Sequence, residues 1–285
     1  MRSRCRIIVN GAATVLMLLV LGSVTAAQTP RLKNIQLCNG EDRSTPDAQI
    51  TGCSALIDSG DETPQVLTIA YNNRGNAYTA KGAYDLAIKD YDRAVELNPN
   101  YAKAFNNRAV VYEKTGELDK AIEDFGQAAK VDPNYARPFA HRAAIHAGKH
   151  EYDLAVRDYD EAIRLAPVVE PALWNGRCWG RTMLGDLQGA LSDCNEALRL
   201  DKNYTPALDS RAFIYLKTAK WNAAIQDYNL ALEQEPRLAS SLYGRAIAKR
   251  KTGDTAGANT DMAAATAIEP NIGAEFASYG LQPEN

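Results

Sequence analysis

A period of 34 residues runs through most of this chain and constrains its fold more than any other feature. Aligned on that period, the sequence divides into six units, 68-101, 102-135, 136-169, 171-204, 205-238 and 239-272, with residue 170 alone between units. With each unit numbered from 1, position 20 holds Ala87, Ala121, Ala155, Ala190, Ala224 and Ala258. Position 27 holds Ala94, Ala128, Ala162, Ala197, Ala231 and Ala265. Apolar or small residues at positions 4, 8 and 11, and again at 20, 24 and 27, recur at the spacing of one buried helix face. Gly82, Gly116, Gly185 and Gly253 stand at position 15, where a helix must stop and the chain reverse. Pro99, Pro133, Pro167, Pro236 and Pro270 end the second helix. One such hairpin cannot bury its own apolar faces, so the units are expected to stack into an all-α solenoid with a curved inner surface.

The residues that recur have a further meaning. Tyr71, Arg74, Gly75, Tyr78, Gly82, Ala87, Tyr91, Ala94 and Pro99 in the first unit, repeated with variation through residue 272, resemble the tetratricopeptide-repeat (TPR) family. The resemblance implies a right-handed superhelix of antiparallel helix pairs. Solenoids need end caps for solubility, and two segments look like them. Residues 47-58 carry Ile50, Cys53, Leu56 and Ile57 at helical spacing, so 28-67 reads as an N-terminal cap. Residues 273-279, with Phe276 and Tyr279, are expected to cover the sixth unit, with 273-285 forming a C-terminal cap and tail.

The first 27 residues read as a secretory signal peptide rather than as part of the fold. Arg2, Arg4 and Arg6 precede an apolar stretch from Ile7 to Gly22, and small residues from Ser23 to Ala27 follow, with cleavage expected after Ala26 or Ala27. The stretch is shorter than the roughly 20 apolar residues that span a bilayer, so no membrane anchor is expected after cleavage. The protein is accordingly expected in the periplasm or outside the cell. Loss of the three arginines takes the formal net charge from -3 to -6. An acidic chain with no basic stripe argues against a nucleic-acid partner.

Four cysteines remain after cleavage, Cys38, Cys53, Cys178 and Cys194. An even count in an exported protein favours disulfides. The helices of a unit run antiparallel about positions 15-16, so facing residues have positions that sum to about 31. Cys178 at position 8 and Cys194 at position 24 obey this rule and replace, in one unit, the small and aromatic residues that most others place there. They read as a bridge across the hairpin, with two buried thiols as the alternative. Cys38 with Cys53 then pins the N-terminal cap.

The same rule treats a charged recurrence. Position 7 is Arg74, Arg108, Arg142, Arg177, Arg211 and Arg245; position 23 is Asp90, Asp124, Asp158, Asp193, Asp227 and Asp261. They are expected to form structural ion pairs within a unit or with the next one, since a half-buried guanidinium needs a partner to offset its desolvation. The alternative is a charged track for a ligand.

In solved TPR proteins the inner surface is lined chiefly by positions 2, 5, 9, 12 and 13, and the resemblance implies the same here. Asn72, Asn76, Asn106, Asn107, Arg137 and His141 form a first candidate peptide-binding patch. Asn76, Asn107 and Arg137 match three of the five places used by TPR domains that grip a C-terminal carboxylate. Asn72 and His141 stand where Lys and Arg are expected, which weakens such a grip. The asparagines alternatively bond an extended peptide backbone or simply face solvent. Trp179, Met183, Phe213 and Leu216 form a second candidate patch, read either as a binding surface or as core. Trp174 and Trp221 sit at packing positions.

No Gly-x-Ser-x-Gly, His-Glu-x-x-His, phosphate loop or dinucleotide fingerprint is present, and no cofactor, metal or catalytic residue is expected. His146 and His150 stand four apart, but where the turn begins, and are not taken as ligands. The expected function is an exported, non-catalytic scaffold that holds a protein or extended peptide in its groove, in cell-envelope assembly or quality control. A small-molecule or glycan receptor using Trp179 and Phe213 is the alternative.

Overall fold

The computed structural model describes residues 28–41, 44–166 and 168–282. Residues 1-27, expected to be a signal peptide, lie outside the described residues, which form helices and turns without a strand. Three helices come first: α1 (Gln28–Cys38), α2 (Pro46–Asp58) and α3 (Pro64–Ala80). Proline at the first turn and a threonine before it start α2 and α3: Thr45 Oγ1 accepts from the Ala48 N–H and Thr63 Oγ1 from the Val66 N–H, each at 3.3 Å. Then follow α4 (Tyr84–Leu97), α5 (Ala102–Thr115), α6 (Leu118–Val131), α7 (Ala136–Gly148) and α8 (Tyr152–Leu165). The C-terminal half contains α9 (Pro171–Leu184), α10 (Leu187–Leu200), α11 (Thr205–Lys217), α12 (Trp221–Gln234), α13 (Ala239–Lys251), α14 (Thr255–Ile268) and the short α15 (Ile272–Ser278). Among the described residues no helix is long and apolar enough to cross a membrane.

Consecutive helices pack as antiparallel pairs, α3 with α4 through α13 with α14, and each pair packs on the next. All twelve alanines at positions 20 and 27 are fully buried, because only a methyl group lets the two helix axes approach this closely. The first helices of neighbouring repeats (α3, α5, α7, α9, α11, α13) touch one another; among the described residues the second helices do not. The stack therefore curves with its first helices inside, as in a solenoid.

Each repeat turns through the same hydrogen bond. The N–H of position 16 donates to the carbonyl of position 11, as in Ala83 to Tyr78, Glu117 to Tyr112, Glu151 to His146, Asp186 to Arg181, Lys220 to Tyr215 and Asp254 to Lys249, at 2.8–2.9 Å. This Schellman closure requires a left-handed residue at position 15. Gly82, Gly116, Gly185 and Gly253 supply it at φ of 73° to 91°, but His150 and Ala219 are forced to 61° and 54°. Ala219 is exposed, so its methyl packs on little. Ala219→Gly is therefore expected to raise stability by about 1 kcal/mol in urea unfolding, the left-handed penalty being larger than the extra entropy of glycine. A loss would mean that the Ala219 methyl packs.

The arginines and aspartates form a ladder within repeats. In all six, Arg Nε and Nη2 donate to both carboxylate oxygens of the Asp sixteen residues on, at 2.6–2.8 Å, from Arg74–Asp90 to Arg245–Asp261. Aromatic rings at position 4 cover several of the guanidiniums, with Arg177 4.9 Å from the Trp174 ring centroid. The third donor reaches backward to position 25 of the preceding repeat. Arg108 Nη1 bonds Asp92 at 2.5 Å, Arg177 Nη1 Asp160 at 2.6 Å, Arg211 Nη1 Asn195 at 2.8 Å and Arg245 Nη1 Asn229 at 2.8 Å, while Arg74 Nη1 bonds Ser54 of α2 at 3.0 Å. Arg142 faces Gly126 at this place. Position 25 had carried no meaning in the sequence, yet it joins one repeat to the next.

Both disulfides are formed. Cys38–Cys53 ties α1 to α2 with a Cα–Cα distance of 4.6 Å, and Cys178–Cys194 crosses the α9–α10 hairpin at 5.5 Å. In the first repeat the same two positions are held by Gly75 and Tyr91, whose ring lies against the glycine; the bridge replaces that contact.

Candidate binding surface

The six residues of the first candidate patch do not share one environment. Asn72 and Asn106 are only 3% exposed and bond along the solenoid rather than outward. Asn72 Nδ2 donates to Asn73 Oδ1 at 3.2 Å, and Asn107 Nδ2 donates to Asn72 Oδ1 and Asn76 Oδ1, each at 3.0 Å. Asn106 Nδ2 donates to Asn107 Oδ1 at 3.2 Å, and Asn73 Nδ2 reaches Asn39 beyond α1 at 3.3 Å. The amides thus form a continuous strip from the N-terminal cap to the second repeat. This corrects the expectation for Asn72 and Asn106: they hold the strip from beneath, because their positions point into the crevice between adjacent first helices. Asn76 stays exposed. It accepts from the Tyr91 hydroxyl at 2.8 Å, and burial pushes that hydroxyl up to about 12, so it remains a donor at neutral pH.

Arg137 and His141 are brought together elsewhere. With Ala136, Ala140, Ala166, Val168, Glu170 and Leu173 they line a cavity of about 470 Å³ between α7 and the start of α9. The His141 ring stacks on Phe125 with centroids 5.2 Å apart and planes 8° from parallel, and its Nδ1 lies 3.1 Å from Glu113 Oε2. Arg137 is exposed, and Val168 is 79% exposed. The extra residue 170 opens this gap by lengthening the connection between the third and fourth repeats. An apolar floor with a guanidinium, an imidazole and a carboxylate at its rim is the composition of a ligand cavity.

The second candidate patch is not an open platform. Phe213 is 3% and Leu216 1% exposed, because the chain's own C-terminal segment lies on them. Phe276 of α15 stands 5.7 Å from Phe213 and 5.0 Å from Tyr243, ring centre to centre, and Tyr279 stands 5.5 Å from Phe213 and 5.9 Å from Trp179. Trp179 and Met183 are partly buried against the same cluster. The cap segment thus reaches back from the sixth repeat across the inner face to the fourth. A flat face for a sugar, as the receptor alternative requires, is not available while Tyr279 meets Trp179 edge-on.

Close to this segment lies Asp209 on α11, which accepts a hydrogen bond from Ser241. Burial, with the charges of Glu235 and Glu275, pushes its carboxyl up to about 6 against the help of Ser241 and Ser240. A carboxyl raised on folding stabilises least when ionised, so stability is expected to fall by about 2 kcal/mol as pH rises from 4 through 6 and to level off above 7. Asp209→Asn should flatten that dependence in urea unfolding at pH 5 and pH 7. An unchanged slope would place its origin elsewhere.

His146 and His150, four apart in sequence, diverge: His146 Nδ1 meets Glu151 at 2.6 Å and His150 Nδ1 the Tyr152 hydroxyl at 2.7 Å. Among the described residues no group of three or more His, Cys, Asp or Glu is arranged to hold a metal ion.

Stacked helix pairs with an internal ion-pair ladder define a helical-repeat interaction scaffold. The repeats at residues 75–135 are tetratricopeptide repeats: a TPR-repeat model matches residues 75–116 and a tetratricopeptide-repeat model residues 102–135. Solved structures with the same fold include YrrB, a TPR protein with an unusual peptide-binding site, at 19% identity and TM-score 0.54, covering 67% of this chain and 98% of its own. PilF of Pseudomonas aeruginosa is similar at 19% identity and TM-score 0.61, covering 76% and 100%. A tetratricopeptide repeat protein from Parabacteroides merdae is 17% identical with TM-score 0.59, covering 85% and 94%.

Proposed function

We propose that this scaffold is exported, non-catalytic, and holds an extended segment of another protein along the inner face of its first four repeats, in assembly or quality control of the cell envelope. The observation that carries the reading is the 470 Å³ cavity at Arg137 and His141, adjoining the repeats that bear the asparagine strip. An extended segment lying there meets side-chain amides for its backbone, an apolar floor for a side chain and a guanidinium for a carboxylate. YrrB, with the same fold, has an unusual peptide-binding site, which supports a peptide as the kind of ligand. Export is supported by the leader-like residues 1–27 and by two disulfides, which persist in oxidising compartments.

The test is in-cell photocrosslinking from a reactive group at Ala140. Arg137→Glu is expected to reduce capture of partners about tenfold, equivalent to about 1.4 kcal/mol. Lys130→Ala, on a second helix, is expected to leave it unchanged. Equal capture by Arg137→Glu and wild type would sink the proposal.

A further inference from the structure

The C-terminal segment does more than end the stack. A terminal cap need only cover the last repeat, yet Ile272, Phe276 and Tyr279 run over α13 and α11 as far as Trp179 of α9. The groove beneath it is aromatic and aliphatic: Trp179, Phe213, Leu216, Tyr243 and Ile247. Its polar fixture is Lys217, whose Nζ donates to the Tyr279 carbonyl at 3.0 Å, where the short helix ends in orphan carbonyls.

The occupant itself is weakly held. α15 has seven residues, the side chain of Asn271 before it makes no capping hydrogen bond, and only Ile272 and Phe276 of the helix are buried. A helix this short does not persist without its packing, and terminal segments open first. Opened, it uncovers a contiguous apolar surface of the kind that binds partners.

We propose that the inner groove of repeats 4 to 6 is a docking site for a short amphipathic helix of a partner protein, and that α15 with Tyr279 is the resident occupant which that helix displaces. The partner helix carries two aromatic residues three apart, as Phe276 and Tyr279 are, and ends toward Lys217. The site is separate from the Arg137 cavity, so either can fail alone. While α15 is seated, affinity for the partner is reduced by the fraction of molecules that are open.

The test uses the full chain and a labelled peptide copying residues 271–285, followed by fluorescence anisotropy. The peptide is expected to bind Tyr279→Ala at least tenfold more tightly than wild type, and a peptide carrying F276A and Y279A is expected not to bind either. Should Tyr279→Ala not fold, hydrogen exchange on the wild type gives the answer: excess copy peptide should speed exchange at Gly280 and Leu281, whose N–H groups close the end of α15. No binding to a folded Tyr279→Ala, or no change in that exchange with peptide in hundredfold excess, overturns the proposal. So does light scattering that shows a concentration-dependent dimer lost in Tyr279→Ala, which would make a second copy the occupant.

Discussion

Asp158→Ala is expected to lower the unfolding free energy by about 3 kcal/mol, more than the same change at Asp124. Both carboxylates are buried and each takes two hydrogen bonds from one guanidinium. The difference lies at position 25 of the preceding repeat. Arg108 keeps Asp92 when Asp124 is lost, whereas Arg142 faces Gly126 and is left as an uncompensated, half-buried charge. Asp124→Ala should accordingly cost about 2 kcal/mol. Gly126→Asp supplies the missing rung and removes a glycine from the interior of α6, and should raise stability by about 1 kcal/mol. Its new Cβ stands 3.2 Å from Arg142 Nη1, the mobile end of a long side chain. Urea unfolding followed by circular dichroism measures all three. If Asp158→Ala and Asp124→Ala cost the same, the backward bond of the arginine contributes nothing.

Removal of the Cys178–Cys194 bridge is the second large effect. The closed loop spans sixteen residue steps, which in the chain-entropy model corresponds to about 3 kcal/mol lost by the double change to alanine. Both sulfur positions are fully buried and packed by Ile214 of the next repeat, so a cavity adds to the entropic loss. Reductant, which also opens Cys38–Cys53, should destabilise wild type by at least as much. A C178A/C194A protein as stable as wild type would show that packing alone holds this hairpin.

What could be read from the sequence was whatever repeats. The alanines, the Arg–Asp pairs and the facing cysteines each obey a register that an antiparallel hairpin imposes, and a 34-residue period repeats that register six times. Features that depend on a neighbour's identity were not legible. Asn72 and Asn106 lie at inner-surface positions but are buried, since whether an amide faces water depends on the crevice between two helices. Position 25 varies as Asp92, Gly126, Asp160, Asn195 and Asn229, too irregular to stand out until the arginines pointed to it. The destination of Phe276 and Tyr279 is set by groove curvature, which no local pattern encodes. Their spacing announced an apolar face; its partner had to be seen.

A solenoid is close to a one-dimensional object, in which each repeat answers only to its neighbours and the array can melt from either end. The contact between Trp179 and Tyr279 violates that locality, joining the fourth repeat to a residue beyond the sixth. It closes a ring of three repeats that must open as a unit, or lose the seated segment first. Among the described residues the N-terminal repeats have no such closure. This molecule should therefore unfold as two blocks of unlike character, a ladder that frays and a loop that snaps, with residue 170 at the seam.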